Sequence, residues 1–589
     1  MRKGFLFILF VAAEINTLYA EDLSYKPGEL IVRFRPKANG NQLTVTDQNI
    51  ILASIGGGNV KHSFKLLPGL CVVKLPANKT VENALIAFKR FNGILYAEPN
   101  YRIRLLSTFP NDPRFDEQWG LHNTGQTGGT PDADIDAPEA WDTHTGSNSI
   151  IVAVLDTGID RNHPDLLANM WINTGEIPDN NEDDDGNWYV DDVYGYDFGN
   201  DDNDRSDYRW HGTHCAGIVG AVGNNSQGGS GVCWDVTIMN VKICKDEGST
   251  PSAWVDMAIE GIEYAVMMGA DVLSCSWRIY DLPPRFFVPE ALKYAVEAAG
   301  NEGVIVVASA GNDGENIDEE GNEQYPASYD SSNIVAVMGT DHDDNRATGW
   351  LWGQSSNWGP ISVDLAAPGT DILSTTPTCE TELMQSEGVS TYYDTASGTS
   401  MATPHIAGAC AIIWSVNPSL THLEVKAILL STVDDLQVSE YDRENLGIQD
   451  RYDYCVTGGR LNLHKAASAA NNYTSPFCLK NNLGQRMAWF DNLGNLFLQA
   501  TLTTGVDPLN EDPDHDEFRV QDSSEDIAII DTTNGDMYIK GSLYEWQGTL
   551  APSEQSSDFI IKSSSTEVVA YIDESGDLYL KGTLYEYEE

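Results

Sequence analysis

Between Trp119 and about Ala470, short apolar runs that stop at turn residues alternate with stretches of helical spacing. This alternation restricts the folds open to the chain more than any other feature. The apolar runs are residues 150–155, 236–241, 271–276 and 304–308, and residues 253–267 and 289–299 carry the helical patterns. Runs this short and this uniformly apolar suit strands buried on both faces, and helices between them supply the cover. The expected fold class is α/β, a parallel sheet flanked by helices, with functional groups gathered at the carboxyl ends of its strands.

A chain of 589 residues is too long for one core, and its two ends read differently from its middle. Met1-Arg2-Lys3, an apolar stretch over residues 4–13 and Leu18-Tyr19-Ala20 together read as a secretory signal over residues 1–20, with an uncleaved anchor as the competing view. Residues 21–108 order as β, β, α, β: a strand after Pro27-Gly28, another over 70–75, a helix over 81–91 and a strand from Ile94. That is a small α+β module, followed by a linker at residues 108–113 and the α/β body over 109–470. The last part, 477–589, repeats with a period of 41, in Phe477, Phe518 and Phe559, in Gly494, Gly535 and Gly576, and in Leu502, Leu543 and Leu584. Alternation on either side of a Gly turn predicts three all-β repeats built of hairpins in a small array. They contain no catalytic constellation, and surface or matrix attachment competes with a passive spacer as their role.

The composition, 41% hydrophobic and 10% aromatic, excludes a mainly disordered chain. With 35 basic and 88 acidic residues the net charge is −53, which repels phosphates and excludes nucleic acid as a natural partner. The charge is unevenly divided. Residues 21–108 carry 12 basic and 6 acidic groups, residues 109–476 carry 15 and 59, and residues 477–589 carry 6 and 22. A basic module ahead of an acidic body suits binding in cis, with separate divergence of the two segments as the competing view. Nine cysteines in an exported chain have the chemistry for disulfides, but no spacing fixes a pairing.

Three segments carry the chemistry. Asp156-Thr157-Gly158 ends a buried strand, His211-Gly212-Thr213-His214 precedes a run of small residues that reads as a helix, and Gly398-Thr399-Ser400-Met401-Ala402-Thr403-Pro404 places a serine at a turn, with Pro404 in the first turn of the next helix. A serine hydroxyl needs a base to take its proton, and the imidazole needs an acid to fix its tautomer; the chain order Asp, His, Ser is one known solution. The rivals explain less. An aspartic protease needs two Asp-Thr-Gly motifs or a symmetric dimer. His211 and His214 have metal-ligand spacing but lack the Glu of a zinc protease, so His214 reads as structural. Cys215, just after His214, invites a cysteine-nucleophile reading.

These motifs resemble the subtilisin-like serine proteases, family S8, in the thermitase and fervidolysin branches. The likeness covers roughly residues 25–470 and includes Trp119-Gly120-Leu121, Asp134-Ile135-Asp136-Ala137-Pro138, Ala310-Gly311-Asn312 and Ala366-Ala367-Pro368-Gly369. It implies that Ser400 is the nucleophile, His211 the general base and then acid, Asp156 the orienting carboxylate and Asn312 an oxyanion donor, and that Cys215 is a small buried neighbour instead of a nucleophile. It implies a calcium site at Asp112, Asp165, Asn225 and Gln227 with the carbonyls of Val222 and Gly229, where Gln227 stands in place of a threonine. Independently, Asn181, Asp183 and Asp185 before Gly186, with Asp192 at the twelfth position, have the oxygen spacing of an EF-hand loop, a second candidate for Ca2+. The same likeness makes residues 21–108 a propeptide that assists folding, inhibits in cis and is cut off within 105–110. Relatives have Gly where this chain has Arg278 in Ser276-Trp277-Arg278, which crowds the strand that pairs with substrate. Beyond Asn312, an acidic insertion (Asp313, Glu315, Asp318, Glu319, Glu320, Glu323) either favours a basic P1 residue in the substrate, binds calcium or is simply solvated. The expectation is a secreted, calcium-dependent serine endopeptidase made as a zymogen and acting on proteins or peptides. Its alternative is a restricted or inactive relative that binds surfaces through the repeats.

Overall fold

A computed structural model describes residues 25–37, 41–54, 56, 58–76, 79–101, 108–246, 253–279 and 288–473, and beyond them the strands between Phe477 and Glu586. The segment read as a signal, residues 1–20, and the repeat glycines Gly494, Gly535 and Gly576 lie outside the described residues. The chain divides into two compact units, residues 1–106 and 107–589.

In the first unit, strands β1 (Tyr25–Phe34), β2 (Asn59–Ser63), β3 (Leu70–Lys74) and β4 (Ile94–Tyr101) form an antiparallel sheet in the order β2-β3-β1-β4. Helices α1 (Val45–Ser54) and α2 (Val81–Arg90) complete it. Leu30, Val32 and Phe34 alternate along β1 and bury one face against Leu52 of α1 and Ala84 and Phe88 of α2. The expected β, β, α, β order omits α1 and β2. Residues 45–54 hide their helix behind the β-branched Val45, Thr46, Ile50 and Ile51. What starts α1 is a reciprocal cap: the Thr44 N–H donates to Asp47 Oδ2 at 2.9 Å, and the Asp47 N–H to Thr44 Oγ1 at 3.2 Å. Strand β2 lies at a sheet edge with mostly exposed residues, so it lacks a buried stripe.

The second unit is built on a sheet of nine strands: β5 (Gly146–Asp156), β6 (Tyr196–Asp197), β7 (Asp235–Lys242), β8 (Val272–Cys275), β9 (Ile305–Ser309), β10 (Ile334–Thr340) and β11 (Leu365–Pro368), with β14 (Asp434–Asp435) and β15 (Gly459–Arg460) at one edge. A separate hairpin joins β12 (Ile372–Thr376) to β13 (Tyr392–Ala396). The sheet order is β14-β15-β11-β10-β9-β8-β5-β7-β6, parallel throughout except for the β14–β15 edge pair. Its helices are α3 (Ala137–Trp141), α4 (His211–Gly220), α5 (Val255–Met267), α6 (Glu290–Asn301), α7 (Glu382–Glu387), α8 (Thr399–Val416), α9 (His422–Ser431), α10 (Glu440–Asn445) and α11 (Leu463–Asn471). Successive residues of β5 face opposite ways. Val152 and Val154 join a core with α3, α4, α8 and α9, while Ala153 and Leu155 join a second core with α5 and α6. Helices on both faces of a mainly parallel sheet are the α/β class expected. Among the described residues no helix is long and apolar enough to cross a membrane.

The repeats form three four-stranded sheets from β16 (Phe477–Lys480), β17 (Arg486–Phe490), β18 (Leu496–Leu498), β19 (Leu502–Thr504), β20 (Glu517–Gln521), β21 (Asp526–Asp531), β22 (Met537–Ile539), β23 (Leu543–Glu545), β24 (Phe559–Lys562), β25 (Val568–Ile572), β26 (Leu578–Leu580) and β27 (Leu584–Glu586). Each copy supplies an antiparallel trio, and its last strand is lent to another copy. β19 pairs in parallel with β22, β23 with β26, and β27 returns to pair with β18 of the first copy.

Candidate active site

Asp156 is the last residue of β5, at the carboxyl edge of the sheet, and is buried. Its Oδ1 lies 2.8 Å from His211 Nδ1 and also accepts the Thr157 N–H at 2.7 Å. Two glycines make this approach possible. Gly158 has φ +104°, and a Cβ there would stand 2.7 Å from the carbonyl oxygens of Arg205 and Ser206. A Cβ on Gly212 would stand 2.2 Å from the Gly158 carbonyl oxygen, so only glycine after His211 lets α4 close on the end of β5.

His211 opens α4, whose N-cap, Trp210, has no side chain able to cap. The buried Asp207 does that work. Its Oδ1 accepts the backbone N–H groups of Arg209 and Trp210 at 2.9 and 2.8 Å and the Thr157 hydroxyl at 3.0 Å, and its Oδ2 accepts the Thr213 N–H and hydroxyl at 2.9 and 2.6 Å. Sequence reasoning passed over Asp207; the available signal was an acid four residues before a helix start that lacks a cap. Burial works against a charged His211, but the Asp156 carboxylate outweighs it and holds the imidazole pKa well above its usual value.

Ser400 sits in the first turn of α8, its Oγ 3.2 Å from the Ser276 carbonyl oxygen beyond β8. Pro404 is the sixth residue of α8, a turn later than expected. Lacking an N–H, it cannot bond to the carbonyl four residues back, which belongs to Ser400. That oxygen instead accepts the Ser276 hydroxyl at 2.9 Å and the Cys215 thiol at 3.4 Å, fastening the helix start to β8 and α4. Asn312, beyond β9, has its Oδ1 fixed by two donors of Thr399, the N–H at 3.0 Å and the hydroxyl at 2.9 Å. The Nδ2 end is thereby turned out beside Gly398, 3.4 Å from where a Cβ would stand.

His214 is buried, with Nε2 3.2 Å from the Asp394 carbonyl oxygen, and burial together with His211 drives its pKa down to about 3. Cys215 is buried with Sγ 3.9 Å from His211 Nδ1, and burial raises its pKa. Eight cysteines among the described residues are unpaired.

Of the residues named for calcium, Asp112, Asp165, Val222, Asn225, Gln227 and Gly229 meet at one loop. Asp112 accepts the N–H groups of Asn224, Asn225 and Ser226, and Asp165 accepts the Asn225 amide at 2.6 Å. The Val222 N–H donates to the Asp165 carbonyl at 2.8 Å, the Gly229 N–H bonds to the Asp165 carboxylate, and Gln227 is exposed. Burial raises the pKa of Asp112; burial and then the Asp112 charge push Asp165 up to about 6. Two buried carboxylates raised in this way, the charge of one raising the other, fit a hard cation that would compensate their charge. In the other loop, Asp183 and Asp185 gather with Glu176, their oxygens within 4.8 Å of one another. Asp192 is turned into the core, its oxygens taken by Asn173, Asn187 and Tyr264, and the Asn181 N–H is held by Asp191. The EF-hand spacing is therefore met by Asp183 and Asp185, with Glu176 from outside the loop completing the group.

The model for the subtilase family matches residues 147–448, and that for the fervidolysin N-terminal prodomain matches residues 16–100. Thermitase from Thermoactinomyces vulgaris is 35% identical over 328 residues, 56% of this chain and 92% of thermitase. The chain belongs to the subtilase family. It is a subtilisin-like serine endopeptidase with a fervidolysin-like prodomain. Further relatives of this subtilase include a thermophilic serine proteinase of Bacillus sp. strain AK1, 32% identical over 425 residues, 72% of this chain and 86% of that protein. The solved structure of fervidolysin from Fervidobacterium pennivorans, described as a keratinolytic enzyme related to subtilisin, is 23% identical, covers 79% of this chain and 65% of that chain, and has a TM-score of 0.44.

Proposed function

We propose that this subtilase is a secreted, calcium-dependent endopeptidase whose chemistry runs through Asp156, His211, Ser400 and Asn312. The observation that carries the reading is the 2.8 Å contact between Asp156 Oδ1 and His211 Nδ1. It keeps the proton on Nδ1 and leaves Nε2 as the base. The Ser400 Oγ proton passes to Nε2 as Oγ bonds to the substrate carbonyl carbon, and the carbonyl electrons move onto oxygen. Asn312 Nδ2 and the Ser400 N–H donate to that oxygen. The imidazolium then gives its proton to the amine nitrogen, the C–N bond breaks and an ester on Ser400 remains. Water, deprotonated by the same Nε2, releases the acid by the reverse sequence.

Calcium would be held by Asp112, Asp165, Asn225, Gln227 and the carbonyls of Val222 and Gly229, with Glu176, Asp183 and Asp185 as a second acidic group. Its contribution is charge compensation and a fixed loop geometry. The signal-like residues 1–20 support export, and the basic prodomain ahead of an acidic body supports inhibition in cis before removal. The repeats are read as a surface or matrix attachment module.

The test is to express the full chain and its Ser400→Ala variant with calcium, compare masses and assay casein. Loss of about 85–90 residues beyond the signal by the wild type alone, with casein cleared, supports the triad and self-processing together. Two full-length, inert proteins would favour the restricted or inactive relative.

A further inference from the structure

The residue that supplies the attacked carbonyl, P1, has its Cβ about 2.5 Å from the carbonyl carbon. With Ser400 as the nucleophile, as proposed above, that carbon must come within reach of Ser400 Oγ and its oxygen within reach of Asn312. The leaving amine must face His211. The P1 side chain therefore points the other way, between the segment that leaves β8 (Ser276, Trp277, Arg278) and the one that leaves β9 (Ala310, Gly311, Asn312). Both segments are tied to the start of α8: Ser400 Oγ donates to the Ser276 carbonyl at 3.2 Å, and the Gly311 N–H donates to Thr399 Oγ1 at 3.1 Å. A third segment closes the far end, where the Ile279 N–H donates to the Tyr325 carbonyl at 3.0 Å.

The space between these walls is filled by the protein itself. Arg278 reaches across from the first wall, its Nη2 2.9 Å from Asp313 Oδ1 and its Nη1 against Asp313 Oδ2. The same Nη1 donates to Gln324 Oε1, from the third segment, at 2.5 Å. The heads of both side chains stand over Gly311: a Cβ there would lie 3.2 Å from Arg278 Nη1 and 3.3 Å from Gln324 Oε1. The Arg278 side chain is only 16% exposed. Both oxygens of Asp313 are engaged by the guanidinium, so the charge of the acidic residue next to Asn312 is already paired and attracts a basic P1 residue little. The guanidinium is committed to Asp313 and Gln324 in turn, so it offers an acidic P1 residue little.

We propose that the Arg278–Asp313–Gln324 bridge occupies the P1 subsite of this protease and restricts it to peptide bonds that follow small, uncharged residues. A larger P1 side chain would have to displace a bidentate ion pair whose arginine is 16% exposed and whose Asp313 partner is 42% exposed, whereas alanine or glycine fits above it.

The mature enzyme is assayed on fluorogenic tetrapeptides that differ only at P1 (Gly, Ala, Leu, Phe, Lys, Glu), and casein digested in parallel is mapped by mass spectrometry. The expected result is a kcat/KM for Ala about 100-fold above those for Leu, Phe, Lys and Glu, the range a misfitting side chain costs in a shaped pocket. Casein cuts should fall after Gly, Ala and Ser. In an Arg278→Gly/Gln324→Gly variant the Ala-to-Phe ratio should fall by at least about 10-fold. Wild-type cleavage after Phe, Leu, Lys or Glu within about 3-fold of Ala overturns the proposal whether or not the variant folds. An unchanged ratio in an active variant overturns the part given to the bridge. A wild type that cuts neither the peptides nor casein, unlike these results, removes Ser400 as the nucleophile and the proposal with it.

Discussion

The hydrogen bond from His211 to Asp156 fixes the sign of a pH effect. Burial disfavours the imidazolium, the adjacent carboxylate favours it more, and the net result is a pKa well above 6.5. In the mechanism proposed above only the neutral ring accepts the Ser400 proton, so activity should be lost as pH falls through that raised value. The acidic limb of kcat/KM should therefore lie above pH 6.5, and Asp156→Asn should shift it downward while lowering kcat by about 10⁴-fold; a pH–rate profile of both proteins checks this. Asn312→Ala should lower kcat by about 100- to 1,000-fold with little change in KM, the scale known for such a donor in enzymes of this family. Steady-state kinetics on one peptide decides it, and equal kcat would remove Asn312 from the mechanism. The motif residues were legible because their chemistry is tied to residue type. The engagement of Asp313 by Arg278 was not, since 35 residues separate them and only the adjacency of two strand ends brings them together.

Strands β5, β7, β8 and β9 were readable as elements because burial on both faces leaves uninterrupted apolar runs. Helix α4 was readable from its small residues, but its anchorage was not. Asp207 follows Asp201, Asp202 and Asp204 and looks like one more solvated acid, yet it binds five donors at the start of the helix. Replacing it with Ala strands several buried N–H groups at about 1–3 kcal/mol each, less whatever water recovers. Asp207→Ala should therefore cost about 3 kcal/mol and lower Tm by several degrees, measured by calorimetry in a Ser400→Ala background to prevent self-digestion. The turn-late Pro404 teaches the same lesson. A proline inside a helix reads as a defect until its orphaned carbonyl is found holding Ser276 and Cys215.

At the scale of the whole molecule, charge is the dominant fact: 59 acidic against 15 basic groups over residues 109–476. The cation proposed at Asp112 and Asp165 would relieve two carboxylates that burial already pushes toward protonation. Calcium at 100 times its Kd would add about 2.7 kcal/mol. EDTA should accordingly lower the Tm of the Ser400→Ala protein, and Asp165→Asn should abolish most of that calcium response. A melting temperature indifferent to EDTA would count against calcium at either loop. The repeat region shows where whole-molecule structure escapes a linear reading. A period of 41 announces hairpins, but it cannot say where the last strand goes, and that strand returns to the first copy. An open stack needs special end copies to shield its outer edges, whereas here the count is locked at three and each copy is equivalent to the next. The order of copies then has no intrinsic beginning. Moving the first copy to the end of the chain would preserve the strand pairing, while trimming Leu584–Glu586 would uncover Leu496–Leu498 nearly ninety residues upstream. A lost tail would act as a break in a hoop rather than a shortened rod.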